Sequence, residues 1–125
     1  MNELELIKLW NQKRSQIISA QMGPTVMLGV VIVALSFGAL TDAPAAISYL
    51  VIGVIASTGL LATISQYAAI REAEALVKDL GNVASLSATG TIIKDSASYL
   101  SMTKLVIVAL DDVVFVLVVM AVMGL

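Results

Sequence analysis

The stretch LVIVALDDVVFVLVVMAVMGL occupies residues 105–125, and apart from Asp111 and Asp112 it contains only apolar residues and one glycine. A run this long predicts a transmembrane helix, since about 20 apolar residues cross a bilayer. The two carboxylates lie where an ionised group is most costly. This stretch therefore indicates a membrane fold, and its two carboxylates are the first candidates for a functional site.

The composition of the whole chain agrees with a membrane location. Of its 125 residues, 59% are hydrophobic and 13% charged, and the mean hydropathy is +0.99. These values lie outside the range of soluble domains. We therefore expect an all-α integral membrane protein with three transmembrane helices. The positions of the charged residues are more informative about this protein than its net charge of −2.

Several kinds of chemistry lack the residues they need. The chain has no cysteine and no histidine, so disulfides, soft-metal sites and a histidine general base are excluded. Neither a nucleophile elbow nor a glycine-rich phosphate loop occurs. We expect no enzyme activity from the chain alone, no cofactor beyond bound lipid, no metal and no nucleic acid.

Residues 1–22 predict an amphipathic helix on the cytoplasmic side. Asn2 and Glu5 have the spacing of a capping box. Leu6, Trp10 and Ile17 fall near one face, with basic residues beside them. We expect this helix to lie in the membrane interface with Trp10 as its anchor. The alternative is a soluble helix that docks on a partner subunit.

Residues 23–70 predict a transmembrane hairpin with spans at about 24–41 and 44–70. Gly23 and Pro24 are expected to end the first helix and open the next. A short link at residues 41–43 precedes Pro44, which is expected to open the second span. A link this short makes the two spans antiparallel neighbours.

The second span carries small residues that favour close packing against another helix. Gly53 and Ser57 are four residues apart, and Gly59 lies close by. Small side chains at this spacing let helix backbones approach each other in a membrane.

Residues 71–104 predict a cytoplasmic connection. The second helix is expected to continue past the membrane and to stop at Gly81. Residues 82–104 are rich in serine and threonine, and we expect a loop with a short interfacial helix. Asp95 is the candidate cap of a helix that continues into the third span, residues 105–125.

The basic residues predict the orientation. All seven lie before the first span or between the second and third: Lys8, Lys13, Arg14, Arg71, Lys78, Lys94 and Lys104. Because cytoplasmic segments are enriched in lysine and arginine, we expect a cell-membrane protein with a cytoplasmic N-terminus and an external C-terminus.

The third span is finely balanced energetically. Each aspartate costs up to about 3 kcal/mol near the membrane centre, while fourteen Leu, Ile, Val and Phe residues return roughly 4 to 8 kcal/mol together. Asp111 would lie seven residues, or about 10 Å, beyond Lys104, which is too far for a direct bond. We therefore expect both carboxylates to be buried against protein or water rather than lipid.

Three functions fit such a pair. In the first, Asp111 and Asp112 fix helix packing in a small, non-catalytic subunit of a larger complex, beside other integral membrane subunits. In the second, one aspartate carries a proton or cation along a translocation path, for which a homo-oligomer would suffice. In the third, the pair supplies oxygen ligands to a hard cation or cofactor group held by another subunit. The first is the leading hypothesis.

Overall fold

The computed structural model describes residues 2–125, and all regular secondary structure in that range is helical. The helices are α1 (Glu3–Ser36), α2 (Ala45–Leu80), α3 (Ala88–Lys94) and α4 (Ala97–Met123). Helix α2 is central and packs against each of the other three. The predicted all-α class is confirmed.

Three of the helices are long and apolar enough to cross a membrane, namely α1, α2 and α4. Their 34, 36 and 27 residues correspond to lengths of ~51, ~54 and ~40 Å. A hydrocarbon core is about 30 Å thick, so α1 and α2 extend well beyond it. The architecture is consistent with a multi-pass membrane protein.

Helix α1 begins at the predicted capping box. Asn2 Oδ1 accepts a hydrogen bond from the Glu5 amide at 2.9 Å, and the Asn2 amide donates to Glu5 Oε2 at 3.3 Å. These two bonds satisfy amide groups that a helix start otherwise leaves without partners.

The predicted break at Gly23 and Pro24 is wrong, because α1 continues through both residues. A separate N-terminal interfacial helix is therefore not shown; residues 3–22 form the first part of α1. Proline removes one amide donor, but proline is tolerated inside transmembrane helices when neighbouring groups compensate. Pro24 deprives the Ala20 carbonyl of its helical donor, and the Thr25 hydroxyl donates to the next carbonyl, that of Gln21, at 2.7 Å. Residues of α1 on both sides of Pro24 pack into apolar clusters, which favours one continuous helix.

The connection between α1 and α2 is longer than the predicted link at residues 41–43. Helix α1 ends at Ser36, and Gly38 adopts a left-handed conformation with φ of 69°. The Gly38 amide donates to Leu35 O and the Ala39 amide to Ala34 O, both at 3.0 Å. This Schellman pairing satisfies the last carbonyls of the helix and stops it early. Pro44 precedes the first residue of α2, as predicted.

The segment after the second span is mostly helical. Helix α2 ends at Leu80 before Gly81, as predicted, and α3 is the expected short helix. The capping role predicted for Asp95 is wrong: this residue ends α3, and α4 starts after Ser96 without a side-chain cap. Because α4 begins at residue 97, the third helix extends about two turns before the predicted span.

An apolar cluster at the end of the molecule that contains the N-terminus joins all four helices, and we call it the head core. It consists of Leu6, Trp10, Ile70, Ala73, Leu76, Val77, Leu80, Ile93 and Leu100. The α2 members recur every three or four residues, which places them on one helix face. Trp10 is 8% exposed within this core. Its ring packs against the chain's own helices, so the predicted interfacial anchor is not shown.

A second, smaller cluster lies near the opposite end of the long helices, and we call it the outer cluster. Val31 of α1 and Val118 and Val122 of α4 form it, with half-buried residues of α2 packed around them. Between the two clusters the long helices leave a cavity, which contains the two aspartates.

Candidate functional site

The cavity between α1, α2 and α4 is open on one side and has a volume of about 540 Å³. We call it the Asp111 groove. Most of its lining is apolar. The polar side chains that line it are Thr25 of α1, Thr58 and Thr63 of α2, and Asp111 and Asp112 of α4.

The groove lies inside the apolar part of the molecule, away from the charged residues of the head. Asp111 is seven residues from Lys104, and Thr63 is eight residues from Arg71. At 1.5 Å per residue these separations are ~10 and ~12 Å. Both helices therefore place the groove about 10 to 12 Å along the spans from the charged residues of the head.

Asp111 makes a hydrogen bond to the neighbouring helix. The Thr63 hydroxyl donates to Asp111 Oδ2, and Thr63 Oγ1 also lies 2.9 Å from the Gly59 carbonyl oxygen. A hydroxyl has a single proton and cannot donate fully to both acceptors. Thr63 therefore links the α4 carboxylate to its own helix at the level of the groove.

The predicted burial of Asp111 and Asp112 is not reached within a single chain. Both side chains are exposed. Within residues 2–125, Asp112 has neither a hydrogen-bond partner nor an ion-pair partner. Burial of the pair by another molecule stays a prediction.

The small residues of α2 are also uncovered. Gly53 and Ser57 are exposed, Gly59 is half-buried, and a Cβ added to either glycine would meet no atom within 4 Å. The Ser57 hydroxyl donates to the carbonyl of Gly53 at 2.8 Å, so it is satisfied within its own helix. No described helix of this chain packs closely here, and a packing role remains a prediction for another chain.

Polar contacts stabilise the head next to the groove. Lys104 pairs with Glu74 at 3.0 Å and lies 5.4 Å from the centre of the Tyr67 ring. Lys13 pairs with Glu72 and links α1 to α2. As expected from its distance along the helix, Lys104 does not bond to Asp111.

A further set of contacts joins the start of α1 to α3. Glu3 Oε1 accepts from the Ser87 amide at 2.8 Å and from the Ser87 hydroxyl at 2.6 Å. A Cβ on Gly90 would overlap Glu3 Oε1, so a larger residue there would displace the Glu3 carboxylate. Ser87 is also the N-cap of α3 and accepts from the Gly90 amide at 3.1 Å. These contacts fix the N-terminus of α1 on the head.

Sequence reasoning missed Thr63, Glu74 and the contact between Glu3 and Ser87. A signal for Thr63 was present, because it lies almost as far from the charged end of its helix as Asp111 does. Matching polar residues by depth on neighbouring spans would have paired them. The contact between Glu3 and Ser87 joins residues 84 positions apart and has no comparable signal.

The third hypothesis is that the aspartates ligate a hard cation or a cofactor group, and residues 2–125 offer no further cluster of ligands for it. Within residues 2–125, no group of three or more acidic, histidine or cysteine side chains could hold a metal ion. A cation or cofactor group at Asp111 and Asp112 would need ligands from elsewhere.

Comparisons with protein-family models, with curated proteins and with solved structures find no match to this chain.

Proposed function

We propose that the chain is a small, non-catalytic subunit of a larger integral membrane assembly, in which a helix of another subunit covers the Asp111 groove. The observation that carries the proposal is the exposure of Asp111 and Asp112 in the apolar part of the molecule. In this role the two aspartates fix the position and register of the partner helix.

The cost of leaving this groove in lipid supports the proposal. A carboxylate near the membrane centre costs up to about 3 kcal/mol on an insertion scale. Within residues 2–125, only the contact with Thr63 offsets this cost. Ionisable groups in membrane spans almost always face protein or water. A second helix that brings hydrogen-bond donors would remove the exposure.

The surface around Gly53 and Ser57 gives independent support. It lies on α2, is uncovered, and accepts extra atoms without a clash in this chain. Helix association in lipid depends on close packing, since apolar burial there gains little. Such a surface is suited to a neighbouring subunit.

Site-specific photocrosslinking in intact membranes tests the proposal. Phe115 lines the groove and Leu61 does not, although Leu61 is 65% exposed. A photoreactive residue at position 115 should give a discrete protein adduct, while one at position 61 should give lipid adducts. Purification in mild detergent should recover the same partner. A folded monomer with only lipid adducts at both positions would reject the proposal.

The second candidate function is translocation of a proton or cation, and the contacts of Thr63 favour it. The Thr63 hydroxyl donates to Asp111, and the carboxyl is exposed in the groove, so an accessible carboxyl group lies in the apolar part of the molecule. A homo-oligomer of the pure protein in liposomes should then carry ion flux that depends on Asp111. Absence of flux from a folded, reconstituted oligomer would argue against it.

We also propose that the head is cytoplasmic and lies beneath the cell membrane. The basis is the position of all seven basic residues on the head side of the spans. Because the natural chain has no cysteine, single cysteines at Ser15, Asp42 and Ser87 can be labelled selectively. A membrane-impermeant reagent applied outside should label position 42 alone. Labelling of position 42 only from the cytoplasmic side would reverse the orientation.

A further inference from the structure

A second depression lies on α2, on the head side of the Asp111 groove. Thr63, Ile64, Tyr67, Ala68 and Arg71 line it, and its volume is about 280 Å³. Because these residues are one, four, five and eight positions after the first, they share one face of the helix. Thr63 lies where the depression meets the groove, Ile64 and Ala68 form its apolar wall, and Tyr67 and Arg71 lie at its head end.

The level of Arg71 matches the lipid headgroups. Residues 45–70 of α2 carry no charged side chain. These 26 residues span ~39 Å, which exceeds the ~30 Å of a hydrocarbon core. Arg71 is the first charge on α2 beyond that run, and Tyr67 lies one turn before it. Tyrosine is enriched at this level of membrane proteins, where its ring meets lipid and its hydroxyl meets water.

The charge at this end of the depression suits an anion. Arg71 is exposed, and the two ion pairs formed by residues 2–125 leave it out. Lys104 contacts the face of the Tyr67 ring and pairs with Glu74. Arg71 and Lys104 together with Glu74 have a net charge of +1, which equals and opposes the charge of one phosphodiester.

We propose that this depression binds one anionic phospholipid, with its phosphodiester on Arg71 and an acyl chain along Ile64 and Ala68. A guanidinium donates two parallel hydrogen bonds to phosphate oxygens. The small side chain of Ala68 leaves room for the lipid between Ile64 and Tyr67. Basic pockets on the cytoplasmic side of membrane spans bind lipid headgroups in this way.

A phospholipid fits the depression better than a free anion does, because it contacts both the charged end and the apolar wall. Inorganic phosphate would occupy the Arg71 end and leave the apolar part empty. A phospholipid covers both, and the membrane supplies it at high local concentration. The inference depends on insertion of α2 in a bilayer and is independent of the proposed role as a subunit.

Lipid retained through purification provides the test. The full chain is extracted in uncharged detergent from membranes that contain phosphatidylglycerol and phosphatidylethanolamine, and bound lipid is measured by mass spectrometry. We expect Arg71→Gln to lower retained phosphatidylglycerol about 10-fold and Arg71→Lys about 3-fold, since lysine keeps the charge but not the paired geometry. Lys78→Gln is the matched control, because Lys78 is exposed on α2 about 10 Å farther from the membrane, and it should change nothing.

Two further measurements decide the nature of the ligand. Added phosphatidylglycerol should raise the thermal unfolding midpoint of the delipidated natural protein but not that of the Arg71→Gln variant, while inorganic phosphate at the same concentration should raise neither. Equal retention of zwitterionic and anionic lipid, or equal stabilisation by free phosphate, would overturn the proposal. So would an unchanged lipid content in Arg71→Gln, or a protein carboxylate crosslinked at position 71.

Discussion

The head and the membrane-spanning part of this molecule are built from the same long helices but pack differently. In the head, Leu6, Ile70 and Leu80 are completely or almost completely buried. In the spans, the outer cluster contains only three buried valines, and long apolar side chains cover the surface. Ion pairs between helices also occur in the head.

Insertion of the three apolar helices in a bilayer, with the head in water, would account for the difference. Water drives apolar side chains together, at about 25 cal/mol for each Å² buried. Lipid gives no such drive between helices, so the spans depend on close packing and polar contacts. The head can therefore be complete within one chain, while the spans leave the Asp111 groove for another molecule.

The largest expected effect is that of Trp10→Ala in the head. The indole is buried in the head core, and its removal leaves a large cavity. We expect a loss of about 3 to 5 kcal/mol in the free energy of unfolding. Leu61→Ala, at an exposed position of the spans, should change it by less than about 0.5 kcal/mol. Thermal unfolding in detergent, followed by circular dichroism, measures both; equal effects would mean that the head is no more tightly packed than the spans.

The next effect concerns the two aspartates. Asn keeps the size and hydrogen bonding of Asp but cannot titrate, whereas Leu removes both. If the pair fixes assembly, Asp111→Leu or Asp112→Leu should weaken the complex by about 1 to 3 kcal/mol, because partner groups lose their hydrogen bonds. Asp111→Asn and Asp112→Asn should preserve assembly and function, as measured by co-purification. An Asn variant that assembles but loses a pH-dependent activity would instead favour proton transport.

Gly53→Val tests whether the uncovered surface of α2 belongs to an interface. The added side chain meets no atom of this chain within 4 Å, so the unfolding midpoint of the isolated chain should stay the same. Association with another helix should weaken roughly 5-fold, because a larger side chain keeps the backbones apart. Crosslinking yield in membranes measures this, with Ala45→Val as a control at the start of α2. An unchanged yield would mean that Gly53 does not lie at an interface with another helix.

The sequence predicted three long apolar helices, because long apolar runs need no tertiary information. The capping box at Asn2, the start of α2 after Pro44 and its end before Gly81 follow from local chemistry. The failure at Pro24 has a physical cause: tertiary packing on both sides of the proline outweighs the loss of one hydrogen bond. Local rules contain no information about that packing.

The candidate site was predicted only in part. The aspartates were visible as isolated charges in an apolar run, but their neighbour Thr63 depends on how α2 and α4 align. The head was assigned to a membrane interface and a connection, although α2 carries an apolar stripe at Ile70, Ala73, Val77 and Leu80. Trp10 suits an interface and a core equally well, and only the packing of the four helices around the head core decides between them.

The smallest expected effect is that of the ion pair between Lys104 and Glu74. The two side chains are 21% and 30% exposed, so water screens part of their attraction. A double-mutant cycle with Lys104→Met and Glu74→Gln should give a coupling energy of about 0.2 to 1 kcal/mol, and high salt should reduce it. Thermal unfolding of the four proteins at two salt concentrations measures this coupling. A coupling energy above about 2 kcal/mol that does not change with salt would mean that the membrane or a partner shields the pair from water. Lys104 would then belong to the spans rather than to the head.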